Sequence, residues 1–103
     1  MEIRTGADYR NSLRRLRPKV YFLGERLADV VEHPAIRPHV NAAAMTYAVA
    51  CMPECEGLAT ATSHLTGETI NRFTHIHQNT EDLVKKVKLL RMLGQRTGTC
   101  FQR

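Results

Sequence analysis

The chain has 103 residues, of which 43% are apolar and 24% charged, and it carries a net charge of +5. A chain of this size supports one small domain and buries roughly 60–70% of the surface its unfolded form exposes. It contains no apolar window long enough to span a membrane. Residues 1–10 hold no apolar run that could serve as a secretory leader, so a cytoplasmic protein is expected. Three cysteines, an odd number without a framework spacing, fit a reducing compartment.

Thr5 and Asp8 have capping-box spacing, and Tyr9, Leu13 and Leu16 give a helical apolar stripe to about Arg17, where Pro18 stops it. Two short β-prone runs on either side of Gly24 predict a hairpin. His33 to Pro38 reads as extended, because residues before proline avoid the α region. A second helix is predicted from about Pro38 to Cys51, with Val40, Ala44, Tyr47 and Cys51 on one face and alanines suited to close packing against another helix. Pro53 ends it. Between 57 and 78 the threonine-rich run near Thr60 is extended, Gly67 marks a turn, and residues 69–74 read as strand-like or irregular.

The third helix is the clearest element. Asn79 or Thr80 caps it, Glu81 and Asp82 occupy its first turn, and Lys85, Lys86 and Lys88 follow. Leu83, Val84, Val87, Leu89, Leu90 and Leu93 cover an arc of about 220° on a helical projection, wider than a single-sided surface helix needs. Such a helix is expected to pack on two sides, in a larger fold than this chain builds alone. The predicted class is mainly α with a small β-hairpin.

Chemistry-bearing residues are sparse. Cys100 projects near Leu89 and Leu93 and faces inward if the helix persists, although Gly94 and Gly98 weaken its continuity. A lone inward cysteine is ordinarily a small buried hydrophobe, and one thiolate cannot hold a cluster. Cys51 and Cys55 form a C-x3-C pair that Pro53 interrupts, and structural thiols are the favoured reading. His75 and His77 alternate as strand ligands do, but no carboxylate or cysteine supports them nearby, so a polar surface segment is preferred. Arg10, Arg14, Arg15 and Arg17 form a basic helix face, solvated by default. The positive balance favours polyanions, including the phosphates of a CoA thioester or a flavin nucleotide. Without aromatic interleaving or a recognised motif, nucleic acid is not the expected partner.

Three ordered stretches, Thr5–Leu13, Val20–Leu27 and His33–Pro38, resemble the opening of the 4-hydroxyphenylacetate 3-hydroxylase superfamily. Residues 69–78, the capped helix after them, residues 91–95 and the tail from Cys100 are similar to one branch of it, the 4-hydroxybutyryl-CoA dehydratase/vinylacetyl-CoA Δ-isomerases. The resemblance runs from residue 5 to residue 103 but spans only about the first fifth of such an enzyme. It implies that 1–103 is a single, incomplete N-terminal helical domain of an acyl-CoA-dehydrogenase-like fold whose parent continues beyond 103. The parent would be a homotetramer holding FAD and a [4Fe–4S] cluster and converting 4-hydroxybutyryl-CoA to crotonyl-CoA. The flavin would support removal of an unactivated hydrogen, and an iron would accept the leaving hydroxyl as a Lewis acid.

Residue by residue, the resemblance makes Cys100 the first cluster ligand, with the second at position 104 and the remaining cysteine and the histidine further on. It therefore assigns no ligand role to His75 or His77. It places Arg91 and Gln102 on the wall of the active site, and on an ideal helix they project within about 20° of each other. Cys55 stands where relatives carry a larger residue, which reads as packing drift. No cofactor-binding residue is assigned. The segment alone is expected to bind neither cofactor, to lack activity and to self-associate or be partly disordered, with the rest of the enzyme polypeptide as its natural partner. The alternatives are the N-terminal segment of a flavin-dependent 4-hydroxyphenylacetate 3-hydroxylase-type monooxygenase, in which Cys100 is incidental, and a stand-alone interaction module.

Overall fold

The computed structural model describes residues 2–101. About half of them are helical, joined by two small antiparallel sheets, in the order α1 (Gly6–Leu16), β1 (Tyr21–Phe22), β2 (Glu25–Arg26), α2 (Arg37–Ala48), β3 (Thr60–Thr62), β4 (Thr69–Asn71) and α3 (Thr80–Thr97). Single 3-10 turns lie at Val49–Cys51, Pro53–Cys55 and Arg72–Thr74. The chain divides between Tyr47 and Ala48 into two compact units.

In the first unit, the capping box forms as its spacing requires. The Thr5 hydroxyl accepts from the Asp8 N–H at 3.0 Å, and the Asp8 carboxylate accepts from the Thr5 N–H at 3.2 Å. The Arg4 and Thr5 N–H groups hold the Asp8 carboxyl below its ordinary range. Helix α1 ends in a left-handed Arg17 (φ 46°) whose N–H bonds to Arg14 O, directly before Pro18.

The apolar stripe of α1 is used unevenly, through Tyr9 and not Leu16. Leu16 is 73% exposed, while Gly6 is buried beside Ala44 of α2. A Cβ at position 6 would sit 3.3 Å from Ala44 O, so the glycine permits the close approach of the two helices. Tyr9 stacks on Tyr47 with ring centroids 5.2 Å apart. The alanines of α2 thus serve close helix packing, as their size suggested.

Strands β1 and β2 pair across a two-residue turn, Leu23–Gly24, with positive φ at both positions. Leu27, Val31, Val40, Ala44 and Thr46 complete the buried set of this unit. Helix α2 stops three residues before the predicted Cys51, which lies in the following 3-10 turn and is exposed, so it does not share the Val40–Ala44 face.

In the second unit, β3 and β4 pair with Thr60 opposite Asn71 and Thr62 opposite Thr69. The mainly-α expectation with one hairpin thus becomes a structure with two hairpins. Ser63 organises the connection, its hydroxyl accepting from the N–H groups of Leu65 and Thr66. Asn79 caps α3, its side chain accepting from the Asp82 N–H at 2.9 Å. Leu89 and Leu93, one turn apart, are fully buried together with Val49, Cys55 and Ala59. Leu83, Val84 and Val87 are 51%, 44% and 52% exposed, so the described residues leave the second apolar side of α3 uncovered.

Candidate functional site

The tail that carries Cys100 is shaped by the end of α3. Gly98 is left-handed (φ 67°) and its N–H bonds back to Gly94 O at 2.9 Å, so the helix stops at Thr97. The Thr97 hydroxyl donates to Leu93 O at 2.8 Å and accepts from the Thr99 N–H at 3.3 Å, and it lies 2.6 Å from the Thr99 hydroxyl. These bonds turn the chain off the helix axis just before the cysteine. Cys100 is exposed and forms no disulfide.

The condition for an inward Cys100, a helix that persists past Gly98, is not met, and the thiol is exposed. A glycine with no Cβ penalty in the left-handed region ends the helix two residues earlier. The expected placing of Arg91 beside Gln102 falls partly outside the described residues. Arg91 lies on α3 with an exposed side chain, whereas Gln102 lies outside the described residues. Cys100 is positioned as an accessible thiol, able to offer one ligand. Among the described residues no group of three or more histidines, cysteines or carboxylates lies close enough to hold a metal ion.

The other candidates separate cleanly. Cys55 is buried, with its thiol 3.8 Å from the Met92 sulfur, while Cys51 is exposed, so the C-x3-C pair is not a common ligand face. Cys55 is a packing thiol, as expected. The reading of His75 and His77 as a polar surface segment holds only for His77. His75 is buried, with Nε2 3.1 Å from Asp82 Oδ2, and Nδ1 has no partner among the described residues. The consistent tautomer donates from Nε2 and leaves a bare lone pair at Nδ1.

Asp82 belongs to a network that composition could not reveal. Arg72 is 3% exposed, and its guanidinium donates to Leu58 O at 2.6 Å, Thr60 O at 2.8 Å and Gly57 O at 3.1 Å, and to Asp82 at 3.4 Å. Asp82 also accepts from the Gln78 N–H at 2.9 Å. That bond first, and then His75 and Arg72, draws the Asp82 carboxyl down to about 2 from an ordinary 3.8. The network ties the first turn of α3 to the β3–β4 hairpin and so fixes one end of the helix whose other end presents Cys100. The one sequence signal for it was the acidic first turn of α3.

On the basic face of α1, Arg10 bonds Asn41, and Arg14 pairs with Asp29 at 3.4 Å and Glu32 at 3.3 Å. These pairs are half exposed and contribute little stability. No helix of the described residues is long and apolar enough to cross a membrane.

A relative from Clostridium aminobutyricum, a 4-hydroxybutyryl-CoA dehydratase/vinylacetyl-CoA-Δ-isomerase, is 52% identical over 99 residues, 96% of this chain and 20% of its own length. The oxygenase component of a Rhodococcus 4-nitrophenol 2-monooxygenase is 41% identical over 81 residues, 78% of this chain and 15% of its own. Among solved structures, an oxygen-tolerant archaeal 4-hydroxybutyryl-CoA dehydratase from N. maritimus superposes with a TM-score of 0.87 at 52% identity, covering 99% of this chain and 20% of that one. The FAD-bound oxygenase component of a 4-hydroxyphenylacetate 3-monooxygenase shares the fold, with a TM-score of 0.76 at 24% identity over 91% of this chain and 19% of its own. The chain thus spans about a fifth of the length of the relatives it matches. The family model for the 4-hydroxyphenylacetate 3-hydroxylase N terminus matches residues 5–103, and the chain belongs to that family.

Proposed function

We propose that this chain forms the N-terminal segment of a dehydratase acting on 4-hydroxybutyryl-CoA, with vinylacetyl-CoA isomerase activity. The observation that carries the proposal is the 52% identity and 0.87 TM-score to 4-hydroxybutyryl-CoA dehydratases across nearly the whole chain. The 41% match to an oxygenase component is shorter and less identical, which ranks the monooxygenase reading second. In this proposal residues 1–103 form one N-terminal domain of a cytoplasmic homotetramer with an acyl-CoA-dehydrogenase-like fold.

The donor set fits a shared cluster site. Cys100 is exposed and free of disulfide, so its thiolate can reach a cluster whose other ligands come from the rest of the enzyme. When bound, a [4Fe–4S] cluster supplies a Lewis-acidic iron and FAD supplies redox chemistry. The chain's own contribution is positional. Gly98 ends α3 and the Thr97–Thr99 bonds hold the segment that leads to Cys100. Arg91 offers an exposed guanidinium whose forked donors suit a carbonyl or phosphate oxygen, and Gln102 completes the proposed wall.

The test is to read the coding DNA past Arg103, express the full polypeptide and assay it with 4-hydroxybutyryl-CoA. A cysteine four residues after Cys100, dehydration of that thioester, and loss of iron but not flavin in Cys100→Ser are expected. Hydroxylation of a phenol, with iron-independent activity, would instead establish the monooxygenase reading.

A further inference from the structure

The first unit contains a cleft with no assigned role. Its volume is about 590 Å³, within the ~300–1,000 Å³ range of small-molecule sites, and it lies between the end of α1 and the base of the β1–β2 hairpin. Leu13, Pro18, Leu27 and Val30 give it apolar walls, and Arg14, Arg17, Arg26 and Asp29 supply the charge.

The arginines are not equivalent. Arg14 is tied to Asp29 and Glu32, and Asp29 additionally accepts from the Val31 N–H at 3.0 Å, so that carboxylate is already committed. Arg17 and Arg26 form no ion pair among the described residues. Their backbones are fixed, Arg17 by the left-handed end of α1 and Arg26 by its pairing with Tyr21 and the adjacent Leu27 N–H to Val20 O bond of 2.9 Å. The C-terminal carbonyls of α1 bring about half a negative charge. Arg14 is balanced by Asp29 and Glu32, and three guanidinia against those two carboxylates and the half-charge leave a small net positive charge, carried by Arg17 and Arg26.

We infer that this cleft binds a phosphorylated small molecule with an apolar body, its phosphate held by the guanidinia of Arg17 and Arg26 and its body against Leu13, Pro18, Leu27 and Val30. Phosphate matches the forked donors of arginine. A nucleic acid is the poorer fit, because no aromatic side chain lines the cleft for bases to stack on. The inference is independent of the reaction proposed for the parent enzyme.

The probe is hexyl phosphate, titrated calorimetrically into the 103-residue chain beside inorganic phosphate and hexanol. Hexyl phosphate is expected to saturate a single site and to bind more tightly than either part alone. Arg17→Gln and Arg26→Gln should each weaken it about tenfold, the loss of one charge-assisted hydrogen bond. Arg26→Lys, which keeps the charge but not the fork, should fall between, and it carries the test should Arg17→Gln disturb the end of α1. Lys19→Gln removes the same charge from a residue that does not line the cleft and should change nothing.

Retention on phosphatidic acid vesicles, lost in the two glutamine variants, would assign the phosphate to a lipid headgroup. Binding of hexyl phosphate without vesicle retention would assign it to a soluble metabolite, and both results support the site. Absence of saturable binding at about 10 mM, equal weakening by Lys19→Gln, or inorganic phosphate or hexanol binding as tightly as hexyl phosphate would overturn it.

Discussion

Replacement of Arg72 by alanine should destabilise the second unit more than loss of any exposed charge. The guanidinium serves three backbone carbonyls, of Gly57, Leu58 and Thr60, at 2.6–3.1 Å and is 3% exposed. Each charge-assisted bond contributes about 1.5–3 kcal/mol, part of which the three carbonyls recover from water on truncation, so a loss of about 3–5 kcal/mol is expected. Against a total near 5–15 kcal/mol for a small domain, that is a large fraction. Urea unfolding followed by circular dichroism measures the loss, and hydrogen exchange at β3 and β4 locates it. Arg91→Ala, on the exposed surface of α3, is the control and should fall within about 0.5 kcal/mol of the parent. A change below about 1 kcal/mol for Arg72→Ala, or one equal to that of Arg91→Ala, would refute the clamp.

Three further outcomes follow from the same geometry. Because the folded Asp82 carboxyl is depressed to about 2, its stabilising contribution is complete above 3.8 and fades as pH falls through that interval, so Asp82→Asn should flatten the acid limb of a stability–pH profile there. With a disulfide-exchange reagent, Cys51 and Cys100 should react rapidly and Cys55, 2% exposed, only on unfolding; rapid reaction of all three thiols would contradict the packing described. Leu83→Glu with Val87→Glu should leave the unfolding midpoint of this chain nearly unchanged while reducing its self-association in analytical ultracentrifugation, since both side chains are about half exposed.

What could be read from the sequence is what local chemistry determines. Thr5 with Asp8 and Asn79 with Asp82 satisfy orphan helix donors over three residues; the first cap appears where its spacing places it, and the second falls on Asn79, one of the two candidates. Gly24 announced a hairpin because its turn needs positive φ. The β3–β4 pair was half visible, as threonines around a Gly67 turn, since three-residue strands carry too little alternation to declare a register. His75 was misread because its partner stands seven residues away across an aperiodic segment, and a buried Arg72 is indistinguishable by type from a surface arginine. The inward position of Cys100 depended on a helix continuing past Gly98, and the glycine, noted as weakening that continuity, is where the period ends. The wide apolar arc of α3 was informative in a different way, since its uncovered half matches a chain spanning one fifth of its relatives.

Helix α3 also acts as a spacer of set length and phase. It is anchored near Asp82 and released at Gly98, and its 18 residues span about 27 Å. Adding or deleting one residue between Leu83 and Leu93 would leave both anchoring motifs chemically intact. It would nevertheless rotate the departing tail by about 100° and shift it about 1.5 Å along the axis. An indel there would change the angular registration of the thiol, which a single substitution on the solvent side would leave as it is.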